Sequence, residues 1–290
     1  MSVAPFAPLD PAVYREVVRR ALAEDVRWGD VTTEAVVPPE LAGAGVLRVG
    51  SDCVLAGLEV ALECFRQLDP HARVVGARRE GEHCEAGQVL AEVHGFAAAL
   101  LTAEQTARNF LGRLCGIATA TRAYVEAGGG RITVLDTRAT TPTLRALEAY
   151  AVRVGGGVNH RIGLDDGVRV TTSHAALAGD IGEAVRRVRA AGTELPIEVE
   201  ASTLAAVDVA LEAGADTVVL RGLPLAEVRE AVARARGRAR SEVAGGVPLA
   251  SIPEFAETGA EYISVAALTE VVAPVEIQFD MAASGGAPSA

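Results

Sequence analysis

Arg138, His160 and Arg161, three side chains suited to holding an anion, are gathered in LDTRATTPTLRALEAYAVRVGGGVNHR, the stretch from Leu135 to Arg161. Ile132 to Leu135 reads as a short buried strand, apolar and β-branched, so Asp136, Thr137 and Arg138 fall at its C-terminal end, where α/β folds place their ligands. The planar guanidinium of Arg138 can fork onto a carboxylate. Gly155-Gly156-Gly157 reads as a turn that lets backbone approach a ligand just before His160 and Arg161.

The chain has no lysine, so all 27 of its Lys+Arg residues are arginine. Schiff-base and lysine general-base mechanisms are excluded by that composition. A formal charge of -11 argues against nucleic acid or an anionic membrane as partner, while leaving room for a local cationic pocket. At 50% hydrophobic residues over 290 positions the chain can bury a sizeable core. No apolar run approaches the roughly 18 residues of a membrane span, and the N-terminus lacks a signal-peptide pattern, so a cytoplasmic protein is expected. Cys53, Cys64, Cys84 and Cys115 show no CxxC spacing and read as free thiols, and no metal site is expected from them.

Elements that position these groups are legible in the C-terminal half. Strand signals ITVLDT, GVRVTTSH, PIEVEAS, DTVVLRG, SEVAGG and EYISVAAL alternate with helical runs such as IGEAVRRVRAAG and PLAEVREAVARARGR. Such βα units pair in parallel, and this many in series favours a closed or nearly closed barrel. The first hundred residues differ: a helix near Ala12 to Glu24, then VLRVG, CVLAG and QVLAEV as a small mixed sheet packed by a helix around Leu58 to Leu68. A long helix from Thr102 to Ala127 leads into the barrel.

The order GDVTT, VLAGLEVA, LTAEQTARNFLGRLCGIAT, LDTR, TTPTLRALEAYAV, GGGVNHR, IEVE and ISVAAL resembles the quinolinate phosphoribosyltransferase family (nicotinate-nucleotide pyrophosphorylases) from about Glu24 to Asp280. The resemblance implies an N-terminal α/β sandwich domain and an incomplete parallel α/β barrel, the type II phosphoribosyltransferase fold. The expected domains are residues 1–113, with 274–281 packing on them, then 114–273 as the barrel and 282–290 as a disordered tail. It also implies a homodimer or higher homo-oligomer with Gln105 and Arg108 offered across the interface, and a small anionic heteroaromatic carboxylate as ligand. The family joins quinolinate to phosphoribosyl pyrophosphate with Mg2+ and decarboxylates the product to nicotinate mononucleotide. By position Arg138, His160 and Arg161 match the residues that hold the pyridine dicarboxylate, and Glu200 an acidic residue on the ribose side. Thr137, Arg169, His174, Arg221, Gly245 and Gly246 complete the expected binding set.

Departures from the family pattern are concentrated. Gln105 stands for an arginine, Ala139 and Thr171 for lysines, Arg221 for an aspartate near ribose and metal, Ala244 for a serine and Ala266 for a glycine. Losing two charged donors and reversing a charge weakens phosphate and Mg2+ binding. Arg169, on the same strand face as Thr171, can return some positive charge or be a solvated surface residue. Glu198 and Glu200 share one face of IEVE. Arg221 can close over an anion or pair with Glu200. Three readings follow: a diverged family enzyme with decarboxylase or lyase chemistry and an eroded phosphoribosyl pyrophosphate site; an ordinary quinolinate phosphoribosyltransferase with compensating arginines; or a catalytically silent carboxylate binder. No cofactor is certain, with Mg2+ expected if phosphoribosyl transfer is retained.

Overall fold

The structure, a computed structural model, describes residues 6–283. In chain order it runs α1 (Pro11–Val26), α2 (Val31–Val36), β1 (Ala42–Val49), β2 (Cys53–Val54), α3 (Leu58–Leu68), β3 (Arg73–Val75), β4 (His83–Cys84), β5 (Val89–Phe96) and α4 (Ala97–Gly128). Then follow β6 (Thr133–Leu135), α5 (Arg145–Gly155), β7 (Val168–Val170), α6 (Thr172–Ala178), α7 (Ile181–Ala190), β8 (Ile197–Ala201), α8 (Leu204–Glu212) and β9 (Thr217–Arg221). The chain continues with α9 (Leu225–Ala235), β10 (Arg240–Ala244), α10 (Ile252–Ala256), β11 (Tyr262–Ser264), α11 (Ala267–Glu270) and β12 (Ile277–Ala283).

These elements form two compact units. One contains the residues up to Arg122, Thr141–Gly156 and the segment from Val271; the other contains Ala123–Thr140 and Gly157–Glu270. The division between these units runs through α4, and α5 groups with the first of them.

In the first unit, a four-stranded sheet has the order β12-β1-β5-β3. All its pairs are antiparallel, where a mixed sheet was expected. Buried and less buried residues alternate along β1, so one face packs on the core. Phe65 of α3 stacks on Phe279 of β12 with ring centroids 5.2 Å apart, a contact between residues far apart in sequence. Arg108 of α4 donates from Nε to Ile277 O at 2.7 Å, and Val275 N donates to Gly112 O at 2.9 Å, so the returning segment is held by backbone bonds as well as by packing. Ala282 and Ala283, expected in a disordered tail, pair with Ala44 and Gly43 as the end of β12. The rest of that tail, 284–290, lies outside the described residues. All four cysteines are free and buried.

The second unit is built on a six-stranded parallel sheet of order β6-β11-β10-β9-β8-β7. The edge strands β6 and β7 do not pair with each other, which is the incomplete barrel that the family resemblance implied. Residues 217–220 of β9 are buried throughout, as in a strand covered on both faces, while Arg221 at its end is exposed.

Gly155 and Gly156 have roles in the fold. A Cβ on Gly155 would stand 2.5 Å from Ala118 O and 2.6 Å from Thr121 Cβ, so this glycine lets α5 press against α4. Gly156 caps α5 in the left-handed region, with φ 97, and its N–H bonds Arg153 O and Val152 O. Gly155→Ala is therefore expected to force the two helices apart at a cost of about 1 to 3 kcal/mol, read as a lowered Tm in thermal unfolding. An unchanged Tm would mean that the contact has slack that the geometry does not show.

Candidate anion-binding site

The loop carrying His160 and Arg161 is stitched to the open edge of the barrel. Val158 forms a single parallel bridge with Leu135 of β6, through Val158 N to Val134 O at 2.9 Å and Asp136 N to Val158 O at 3.1 Å. Asp136, only 3% exposed, then accepts from Asn159 Nδ2 and from His160 N, both at 2.6 Å. A buried carboxylate bonded twice in this way keeps its charge stabilised and fixes where His160 begins.

His160 Nδ1 accepts from Arg161 N at 2.8 Å, which puts the imidazole proton on Nε2. That nitrogen lies 3.3 Å from Glu242 Oε2 and 3.3 Å from Glu198 Oε2. Burial opposes the imidazolium, but the two carboxylates outweigh it and push its pKa up to about 9.

Arg169, on β7, occupies the middle of this cluster. It reaches Glu200 Oε1 from Nε at 3.2 Å, and from Nη1 it reaches Glu242 Oε1 at 3.3 Å and Glu198 Oε2 at 3.6 Å. It is an ion-paired group, 14% exposed, rather than the solvated surface residue that was one reading of the sequence. Parallel register explains the convergence: Arg169 pairs with Glu198 across β7 and β8, and Glu200 stands two residues on, on the same face. Glu242 of β10 is 1% exposed and also accepts from Ser264 Oγ at 2.6 Å. Burial raises its pKa, but the bond from His160, the charge of Arg169 and Ser264 outweigh this and hold the carboxyl below its usual range.

Above this floor a cleft of about 490 Å³ opens at the strand ends, lined by Thr137, Arg138, Ala139, His160, Arg161, Arg169, Thr171, Glu200, Arg221, Gly245 and Gly246 among others. Arg138 Nε is buried with no hydrogen-bond partner among the described residues. Burial and then the charge of Arg138 lower the pKa of Arg161, a like-charge crowding that a bound anion would relieve. Arg161 is held on one side by Gly167 O, 3.1 Å from Nη1. Gly245 and Gly246 follow β10 with φ 96 and 56, a left-handed pair that leaves their backbone open to the cleft. Ala266, which stands where the family pattern has a glycine, lines the cleft and is not among the residues with positive φ, so its methyl group sits in ordinary backbone.

Nine of the expected residues thus share the cleft, and of those expected in it from this chain His174 does not. His174 is exposed and caps α6: its Nδ1 lies 2.7 Å from Thr171 Oγ1 in a reciprocal capping box, so it serves the helix start. Gln105 and Arg108 lie in the other unit, where Gln105 bonds Asn109 at 2.8 Å and Arg108 is engaged by Ile277 O and by Glu104. Arg221 does not pair with Glu200, whose carboxylate is taken by Arg169. Asp136, Glu242 and Ser264 are additions of the structure. Glu242 had one faint signal, its place two residues before Ala244 and so on the same face of SEVAGG.

The donor set also bears on the Mg2+ that the family resemblance implies. His160, Glu198 and Glu242 offer atoms within 4.8 Å of one another, a spacing that a cation can use. The protonated Nε2 of His160 has no lone pair to give, and Arg169 already occupies the space between Glu198, Glu200 and Glu242 as their ion-pair partner. Mg2+ demands near-octahedral oxygen ligands, and the remaining carboxylate of the cleft, Glu270, is exposed at the end of α11. The residues do not fit that ion.

The second unit is thus an incomplete parallel barrel with an arginine-rimmed cleft at its strand ends. Residues 30–115 match the quinolinate phosphoribosyl transferase N-terminal domain and residues 117–280 its C-terminal domain. The chain is 40% identical to the nicotinate-nucleotide pyrophosphorylase (carboxylating) of Mycobacterium leprae (strain TN), covering 92% of this chain and 96% of that one. It is 38% identical to the probable enzyme of that name from Bacillus subtilis (strain 168), covering 93% and 94%. NadC from Streptococcus pyogenes superposes with a TM-score of 0.92 at 34% identity, over 96% of this chain and 99% of that one. The chain belongs to the quinolinate phosphoribosyltransferase family. No helix among the described residues is long and apolar enough to cross a membrane.

The His160 cluster makes stability depend on pH. The folded pKa of about 9 lies above the ordinary 6.5, so the contribution is complete below about pH 6.5 and is lost as pH rises through 9. Unfolding at pH 6.5 and pH 9.5 should differ by on the order of 3 kcal/mol, and His160→Gln should flatten the difference. An NMR titration placing the imidazole near its ordinary pKa would refute the carboxylate cluster as drawn.

Proposed function

We propose that this chain is a quinolinate phosphoribosyltransferase that joins a pyridine dicarboxylate to phosphoribosyl pyrophosphate and releases nicotinate mononucleotide, pyrophosphate and CO2. The observation that carries this reading is the crowded guanidinium rim of the cleft. Arg138 has a buried donor without a partner and Arg161 is destabilised by it, an arrangement that awaits planar anions. Two carboxylates of one aromatic ring suit two guanidinium forks, and the ring nitrogen is then free to attack the ribose carbon as pyrophosphate departs.

In this reading Arg138 and Arg161 hold the carboxylates, and Arg221 with the open backbone of Gly245 and Gly246 receives phosphate oxygens. The floor formed by Arg169, His160, Glu198, Glu200 and Glu242 fixes the sugar side. Curated relatives that span nearly the whole chain and bear the name nicotinate-nucleotide pyrophosphorylase support this over the decarboxylase or lyase expected from the lost lysines. The arginines are the compensation: Arg169 and Arg221 return positive charge where Ala139 and Thr171 supply none.

The test is direct. Incubated with quinolinate and phosphoribosyl pyrophosphate, the protein should form nicotinate mononucleotide, detected by chromatography. Arg138→Ala should weaken quinolinate binding by about 10- to 150-fold, or about 1.5 to 3 kcal/mol. Binding of quinolinate without product would instead mark a silent carboxylate binder.

A further inference from the structure

We infer that the guanidinium of Arg169 stands in for the divalent cation, so that this cleft binds a pyrophosphate-bearing ligand without Mg2+. Three carboxylates, two on β8 and one on β10 with β9 between them, converge on one place, an arrangement whose mutual repulsion requires a positive charge at its centre. In this chain the centre is filled by a side chain. Nε and Nη1 of Arg169 span Glu200, Glu198 and Glu242 at 3.2 to 3.6 Å, and the side chain is 14% exposed.

A second observation agrees with the first. Arg221, exposed at the end of β9, lines the same cleft as Glu200 and forms no ion pair among the described residues. It would repel a metal ion and attract a phosphate. In parallel register Glu200 lies beside Val219, and Arg221 follows two residues later on the same face, so the guanidinium projects over the carboxylate floor instead of away from it. Gly245 lies against its stem, with the position of a Cβ on that glycine only 3.6 Å from Arg221 Cγ. The cleft therefore offers fixed cations, Arg138, Arg161 and Arg221, around the place where phosphate oxygens would sit, above carboxylates that already hold a cationic side chain, and a free anion is a better match for that rim than a metal-chelated one. Fixed charges of this kind need no ion to be recruited with the substrate.

The inference rests on the proposed use of a pyrophosphate-bearing substrate, and its readout is separate from product formation. Inorganic pyrophosphate is titrated into the full chain by calorimetry, once in EDTA and once with excess Mg2+, and Mn2+ alone is titrated with electron paramagnetic resonance as the readout. Pyrophosphate should bind in EDTA, and Mg2+ should leave the affinity within about three-fold or weaken it, because chelation removes charge from the ligand. Mn2+ alone should not bind. Arg169→Met, which keeps an unbranched apolar stem and removes the charge, should create a Mn2+ site and make pyrophosphate binding at least about ten-fold tighter with metal than in EDTA. Wild-type pyrophosphate binding that appears only with Mg2+, no binding in either condition, or a folded Arg169→Met protein without a Mn2+ site would each overturn the inference. The wild-type titrations stand whether or not the variant folds. Pyrophosphate binding in EDTA without nucleotide formation from quinolinate would leave this inference standing and remove the proposed function, and Mg2+-dependent nucleotide formation would do the reverse.

Discussion

Bringing Glu198, Glu200 and Glu242 onto one inner face of a parallel sheet is the electrostatic constraint around which the second unit is arranged. Carboxylates in so dry a setting repel one another and lose hydration, and either effect alone would push protons onto them. Arg169 and His160 offset much of the repulsion, and Ser264 adds a hydrogen bond to Glu242, while Glu198 Oε2 stays buried with no hydrogen-bond partner among the described residues. Breaking such a cluster by removing one member is costly, because the remaining charges stay buried without compensation. The floor is consequently rigid, and its geometry decides what the more exposed rim can recognise.

An open barrel is what allows His160 to join that cluster. In a closed barrel the free edge of β6 would be occupied by another full strand. Here it takes only the single bridge of Val158, after which the chain turns inward under the control of Asp136. The edge that would otherwise be an exposed row of backbone donors and acceptors becomes the anchor of a functional loop. The same economy of elements is seen in the first unit, where α5 is capped and seated by two glycines whose motif, taken alone, resembles a ligand-binding turn.

Much of this protein was determined by sequence alone. Alternating apolar strands and amphipathic helices specify parallel βα units because the periods of 2 and 3.6 cannot be exchanged. The motifs LDTR and GGGVNHR, read beside IEVE, place Arg138, His160, Arg161 and Glu200 at strand ends, and composition excludes lysine chemistry outright. Local rules of this kind act over a few residues and need no partner.

Only the tertiary structure decided which charge meets which. Arg169 looks like any strand arginine until β7 and β8 pair in register, and Glu242 gives almost no signal until β10 lies beside β9 and β11. His174 matches a binding position by order in the chain, yet the start of α6 at Thr172 turns it to helix capping. The antiparallel character of the first sheet depends on β12, which arrives from the far end of the sequence. In each case the deciding interaction joins residues that are distant in the chain, and a side chain's partner at that range is set by strand order and register, which no local pattern encodes.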